Sequence, residues 1–126
     1  IALNLDVAAD VPALTADEDK LRRVLDNLVK NAVEAIDHGP GRVDVLVRKA
    51  DADRVRIAVS DTGPGVPENV EMFRLFETTK RNGSGLGLSI AKQIVVAHGG
   101  HIGFERLTPT GTTFYVDMPS RAAAAL

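Results

Sequence analysis

Asn27 and Asn31 stand four residues apart in residues 26–35, DNLVKNAVEA, where the apolar residues around them repeat at helical spacing. Asparagine is unfavourable inside a helix because its amide competes for backbone hydrogen bonds. Two of them on one side therefore ask for a use. With about 100° per residue and Leu21 as origin, the apolar stripe runs from about 300° to about 80°; Asn27 and Asn31 fall at about 240° and 280°, and Glu34 at about 220°. The pair lies on the shoulder of the buried stripe, where one side of the helix can roof a cleft. An amide oxygen there can ligate a hard cation such as Mg²⁺, which takes oxygen donors. Taken alone, the pair reads as readily as boundary residues bonding a neighbouring loop.

Three further stretches carry chemistry. SDTGPGVP puts Asp61 at the end of an apolar run, with Gly63 and Gly65 behind it. A carboxylate at a strand end can accept a hydrogen bond from an exocyclic amine such as adenine N6, and the glycines let backbone approach a planar ligand. A plain strand-ending turn would have the same composition. FRLFETTK supplies Phe73 and Phe76 to anchor a loop base, then Thr78, Thr79 and Lys80, whose ammonium could meet a phosphate. The run Gly83, Ser84, Gly85, Leu86, Gly87 leads into a helical pattern, and amides at a helix N-terminus make an anion site. The run follows a polar loop and not a strand, which disfavours a dinucleotide fingerprint, and no Lys-Ser or Lys-Thr completes a Walker A loop.

The elements that must position these residues follow from periodicity. IALNLDV alternates as a strand. Thr15 or Asp17 can cap a long helix with Leu21, Val24, Leu25, Leu28, Val29, Ala32 and Ile36 on its apolar stripe, stopped by His38-Gly39-Pro40-Gly41. RVDVLVRKA and RVRIAVSD read as a hairpin around DAD, and NVEMFRLF as a short helix or turn. ETTKRNGSG reads as a polar loop. LGLSIAKQIVVAHGG is a second helix with Ile90, Ala91, Ile94 and Val95 as its stripe, and HIGFERL and TTFYVDM close the chain as a hairpin around residues 108–111. Short turns between strands imply a two-layer α/β sandwich with a mixed or largely antiparallel sheet.

Composition bounds the rest. The chain has 126 residues, 44% hydrophobic and 25% charged, with a net charge of -2. That fits one soluble globular domain and gives no global pull toward nucleic acid or anionic membrane. The absence of cysteine excludes disulfides and thiolate metal sites, and with no Trp and one Tyr, stacking on nucleic-acid bases is not a main activity. No apolar run reaches the ~18 residues of a membrane span. The start without Met reads as one domain cut from a longer protein. RAAAAL, with residues 120–126 taken as a tail, reads as a frayed helical end or an extraneous remnant.

The order of the four stretches is their strongest signal. Asparagine helix, strand-Asp-x-Gly-x-Gly, Phe-x-x-Phe-x-Thr-Thr-Lys and Gly-x-Gly-x-Gly-helix is the order of the N, G1, F and G2 boxes. Over residues 3–119 the chain resembles the catalytic ATP-binding domain of sensor histidine kinases, within the gyrase, Hsp90, histidine kinase and MutL superfamily. The resemblance implies a two-layer sandwich with a mixed sheet of about five strands and helices on one face. It implies ATP and Mg²⁺ as cofactors, with Asn31 on the metal and Asn27 assisting at phosphates or metal-bound water. Asp61 would take the adenine amine with Thr112 in support, and Gly63 and Gly65 would shape the pocket. Thr78, Thr79, Lys80, Gly83, Ser84, Gly85, Leu86 and Gly87 would form the lid and phosphate contacts, with Asn27, Asn31 and Lys80 catalytic.

The implied activity is transfer of the γ-phosphoryl group to a histidine on a separate dimerisation and phosphoacceptor domain of the same protein. A cognate response regulator would be served through the full-length kinase. The implied location is cytoplasmic, with no direct membrane contact by this domain. His38, His98 and His101 lack the acceptor pattern of His, acid and downstream Pro, and read as cap or surface residues. FRLF replaces the usual FEPF, and Glu77 stands where an aromatic is frequent, which leaves the lid geometry open. Hydrolytic superfamily members place a glutamate base where this chain has Asn27. An ATPase, a serine kinase acting on an anti-sigma-factor antagonist and a nucleotide-sensing module without transfer are the competing readings.

Overall fold

The computed structural model describes residues 1–12, 14, 16–36, 40–51, 53–63, 84–107 and 110–120, without the side chains of residues 84–87. The elements are β1 (Ala2–Val7), α1 (Glu18–Ile36), β2 (Arg42–Asp51), β3 (Arg54–Asp61), α2 (Ser84–Ala97), β4 (His101–Arg106) and β5 (Thr112–Pro119). The five strands form one sheet in the order β1-β2-β3-β5-β4. β1 runs parallel to β2 and the remaining pairs are antiparallel, so the sheet is mixed as the sequence implied.

Asp17 starts α1. Its Oδ1 accepts the Lys20 amide at 3.1 Å, while its carbonyl takes the first intrahelical bond from Leu21 at 2.9 Å. An oxygen at this cap satisfies a donor that the helix itself cannot. Glu18 and Asp19 then complement the positive end of the helix dipole. The 19-residue helix buries Val24, Leu28, Ala32 and Ile36 on one stripe. α2 ends with the Gly100 amide donating to the Val95 carbonyl at 2.9 Å and the Gly99 amide to Val96 at 3.0 Å, a Schellman closure.

Both helices pack on one face of the sheet and on each other. Leu88, Ala91 and Val95 of α2 join the α1 stripe over Val43, Val59, Phe104, Phe114 and Val116. Leu88 therefore takes the core place expected for Ile90, which is half-buried. The opposite face carries cross-strand polar pairs: Arg56 grips Asp117 at 2.7 and 2.8 Å and lies over the Tyr115 ring, and the Ser60 and Thr113 hydroxyls meet at 2.7 Å.

At the sheet edge, Leu3, Leu5 and Val7 pair with Val43, Val45 and Val47 and share their face, yet remain 63%, 70% and 54% exposed. Ser120 is fully buried, donates its amide to the Asp53 carbonyl at 2.7 Å and bridges to Leu14. The folded unit thus includes the first residue of the expected tail; residues 121–126, NVEMFRLF and ETTKRNG lie outside the described residues, as do Thr15, His38 and Gly39 of the expected α1 boundaries.

Candidate nucleotide site

β3 delivers Asp61 to the end of the helix-covered face. Side chains two apart on a strand share a face, so Asp61 continues the row of Ile57 and Val59 and is only 2% exposed. Its neighbours in register are Val43 of β2 and Thr112 of β5, also buried. Oδ1 accepts the Gly63 amide at 2.9 Å, a local bond to the backbone two residues on. Oδ2 is buried and has no hydrogen-bond partner among the described residues. Burial holds the Asp61 carboxyl above its ordinary value, and the amides of Gly63 and Thr112 act in the other direction. A buried acceptor without a donor is costly in a folded protein, so this oxygen is suited to a ligand that brings the donor.

α1 closes over this strand end. A β-carbon on Gly63 would stand 2.7 Å from the Ala35 carbonyl oxygen and 3.1 Å from Asp61 Oδ1, so only glycine lets helix and turn approach this closely. Ala35 follows Asn31 by four residues, and Asn31 follows Asn27 by four. These three form one row along α1, and the row ends against Gly63. Both asparagines are half-buried, beside the fully covered Leu28 and Ala32, while Glu34 is exposed.

β5 supplies the third side. Gly111, at φ 109°, precedes Thr112, and a β-carbon there would lie 2.5 Å from the Asp61 carbonyl oxygen. The hairpin thus reaches the acid through backbone alone. The resemblance pointed to Thr112 but not to Gly111 or Ala35; a glycine before TT, and an alanine one turn beyond Asn31, were the available signals.

Helix α2 begins at Ser84, two residues before the expected start at Leu86, so Ser84, Gly85, Leu86 and Gly87 form its first turn. The amides of a first turn have no intrahelical acceptors, which keeps the anion-binding capacity expected of the glycine run. Gly65, Thr78, Thr79, Lys80 and Gly83 lie outside the described residues. Among the described residues, no group of three or more His, Cys, Asp or Glu side chains could hold a metal ion by itself. A cation beside Asn31 would need oxygens from elsewhere, which the phosphates of a ligand provide.

His98 and His101 are placed apart from this site. His98 Nδ1 lies 2.8 Å from the Ile94 carbonyl and Nε2 3.1 Å from the Asp17 amide, and His101 is an exposed residue near the Tyr115 ring.

Comparison with known proteins shows the family and the fold. A model of the family described as histidine kinase-, DNA gyrase B-, and HSP90-like ATPase matches residues 16–122. The adaptive-response sensory kinase SasA of Rippkaea orientalis is 33% identical over 125 residues, which cover 94% of this chain and 32% of that protein. The chain thus spans about a third of such a relative. Among solved structures, the nucleotide-free catalytic domain of the histidine kinase ThkA has a TM-score of 0.82 at 29% identity, covering 94% of this chain and 78% of that one. Full-length ShkA in complex with AMPPNP has a TM-score of 0.82 at 35% identity, covering 99% and 27%. ThkA is also known in complex with the response regulator TrrA.

Proposed function

The chain belongs to the family of histidine kinase-, DNA gyrase B-, and HSP90-like ATPases, and from that premise we propose that it is the ATP-binding catalytic domain of a sensor histidine kinase. It would pass the γ-phosphoryl group of ATP to a histidine on a separate phosphoacceptor domain of the same protein. The observation that carries the reading is Oδ2 of Asp61 beside Gly63, buried and without a partner among the described residues. An exocyclic amine of adenine supplies the missing donor, and binding it offsets the cost of burying the carboxylate.

Each residue then has a task. Asp61 holds the base, with Thr112 in support, and Gly63 and Gly65 keep the pocket open to it. Asn31 offers an amide oxygen to Mg²⁺ and Asn27 assists at the phosphates or at metal-bound water. The first-turn amides of α2, with Gly83, Thr78, Thr79 and Lys80, meet the phosphates. Mg²⁺, when bound, neutralises phosphate charge; the protein contributes positioning and electrostatics, the terms that dominate phosphoryl transfer. The γ-phosphorus–oxygen bond breaks, a phosphorus–nitrogen bond forms, and ADP leaves.

Asn27 supports transfer over hydrolysis. It is an amide, and an amide cannot take a proton from water as a carboxylate base does. Two solved relatives support the partners: ShkA was solved with AMPPNP and ThkA with the response regulator TrrA. No described helix is long and apolar enough to cross a membrane; the cytoplasmic placement follows from the need for ATP. The test is to incubate the domain with ATP, Mg²⁺ and a dimeric acceptor-helix domain. Acid-labile, base-stable phosphate on the acceptor is expected. Vigorous hydrolysis by this chain alone, without transfer, would overturn the kinase reading.

A further inference from the structure

The acid is held from behind by a residue that the adenine site itself does not use. Thr62 follows Asp61 and lies just past the end of β3, at the surface. Its amide donates to the Arg42 carbonyl at 3.2 Å, and its Oγ1 accepts the Arg42 amide at 2.9 Å. Both backbone groups of Arg42 are thereby taken by one residue, one through main chain and one through side chain. A hydroxyl has replaced the carbonyl that a continuing strand would offer.

We propose that Thr62 is a positioning residue: its hydroxyl extends the β2–β3 ladder one step beyond Asp61 and fixes the direction of the carboxylate. The inference rests on the reading of Asp61 as the adenine acceptor. Three constraints converge on the two residues after the strand. Arg42 holds Thr62, Asp61 Oδ1 holds the Gly63 amide at 2.9 Å, and the Ala35 carbonyl leaves no room for a β-carbon on Gly63. With Oδ1 committed to that amide, the orientation of Oδ2 follows from the turn, and the turn follows from Thr62.

Arg42 is itself steadied, since its Nε meets Asp44 Oδ2 at 2.8 Å and Asp44 Oδ1 accepts from Asn4 at 3.0 Å. The anchor is therefore the first residue of a paired strand and not a loose loop. The side chain needed at position 62 is one with an oxygen acceptor close to its own backbone. Serine would serve; valine, of the same shape, would not.

Thr62→Val, Thr62→Ser and Asp61→Asn are compared for affinity toward ATP and purine riboside triphosphate, which lacks the exocyclic amine. A bond between that amine and a buried carboxylate is worth roughly tenfold or more in affinity. Positioning predicts that Thr62→Val weakens ATP by about fivefold and the purine analogue by less than about twofold, with Thr62→Ser restoring the preference. Equal weakening of both ligands, or no weakening, would overturn the positioning role while Asp61→Asn still abolished the preference. If Asp61→Asn left the ATP preference intact, the adenine reading would fail, and the Thr62 inference with it. Thr62→Ala provides the same comparison should the valine variant fold poorly.

Discussion

The Ala35 carbonyl oxygen stands 2.7 Å from where a β-carbon on Gly63 would be, joining the end of the asparagine row on α1 to the turn after the buried acid. Gly63→Ala must push the helix away or rotate the turn. A cost of about 1–3 kcal/mol in stability is expected from such overpacking, with weaker ATP binding because Asp61 Oδ1 also lies 3.1 Å from the added carbon. Chemical denaturation and nucleotide titration check both.

The carboxyl of Asp61 titrates above its ordinary value because it is buried. A proton is thus bound more tightly in the native than in the unfolded chain. The stabilisation is complete below the unfolded value and is lost as pH rises through the native one. At neutral pH the charged Asp61 works against stability, so Asp61→Asn should raise the melting temperature of the free domain, and the gain should shrink as pH falls. ATP affinity should move oppositely and weaken as pH falls through the raised value, since a carboxyl protonated at Oδ2 is uncharged and turns an O–H donor toward the amine. Melting curves and nucleotide titrations across the acidic range test the two signs.

Asn31 is half-buried beside the covered Ala32. Asn31→Ala should leave metal-free nucleotide binding within about twofold while removing most of the gain that Mg²⁺ provides. Titrations with and without Mg²⁺ separate these terms, and equal loss in both would contradict the metal role.

His98 ties the two helices together away from the site. A carbonyl can only accept and an amide can only donate, so its bonds to Ile94 and Asp17 require the Nδ1–H tautomer. His98→Asn can keep the local bond, and His98→Gln can offer an acceptor toward Asp17. Each replacement keeps one bond and loses the other, at about 1 kcal/mol per bond, so both variants should melt below the wild type, and His98→Ala, which loses both, lower still. Nitrogen chemical shifts of the imidazole report the tautomer directly.

The sequence conveyed the order of the strands and helices because their periods differ and the turns are marked by glycine, proline and aspartate. Asp61 was legible as the end of an apolar run, whereas Thr112 was pointed to only by the family resemblance. Contacts made by backbone were hidden. The approach of Ala35 to Gly63, the reach of Gly111 to the Asp61 carbonyl and the Thr62–Arg42 lock depend on how elements cross, and small residues leave little periodic trace. In α2, a glycine-rich first turn obscured the frame, and Leu88 took the core place in preference to Ile90. Alternation in β1 marked a strand and its apolar face, but not that the helical layer leaves Leu3 and Leu5 uncovered.

The central claim is that Asp61 Oδ2, which has no partner among the described residues, accepts from the base of ATP. It is tested most directly by titrating ATP into the wild-type domain and into Asp61→Asn, which keeps the acceptor for the Gly63 amide and presents a donor in place of Oδ2. Loss of one charged hydrogen bond, with a donor now facing the amine, should weaken ATP by at least about tenfold while the fold persists. Unchanged affinity in a folded Asp61→Asn domain would contradict the account.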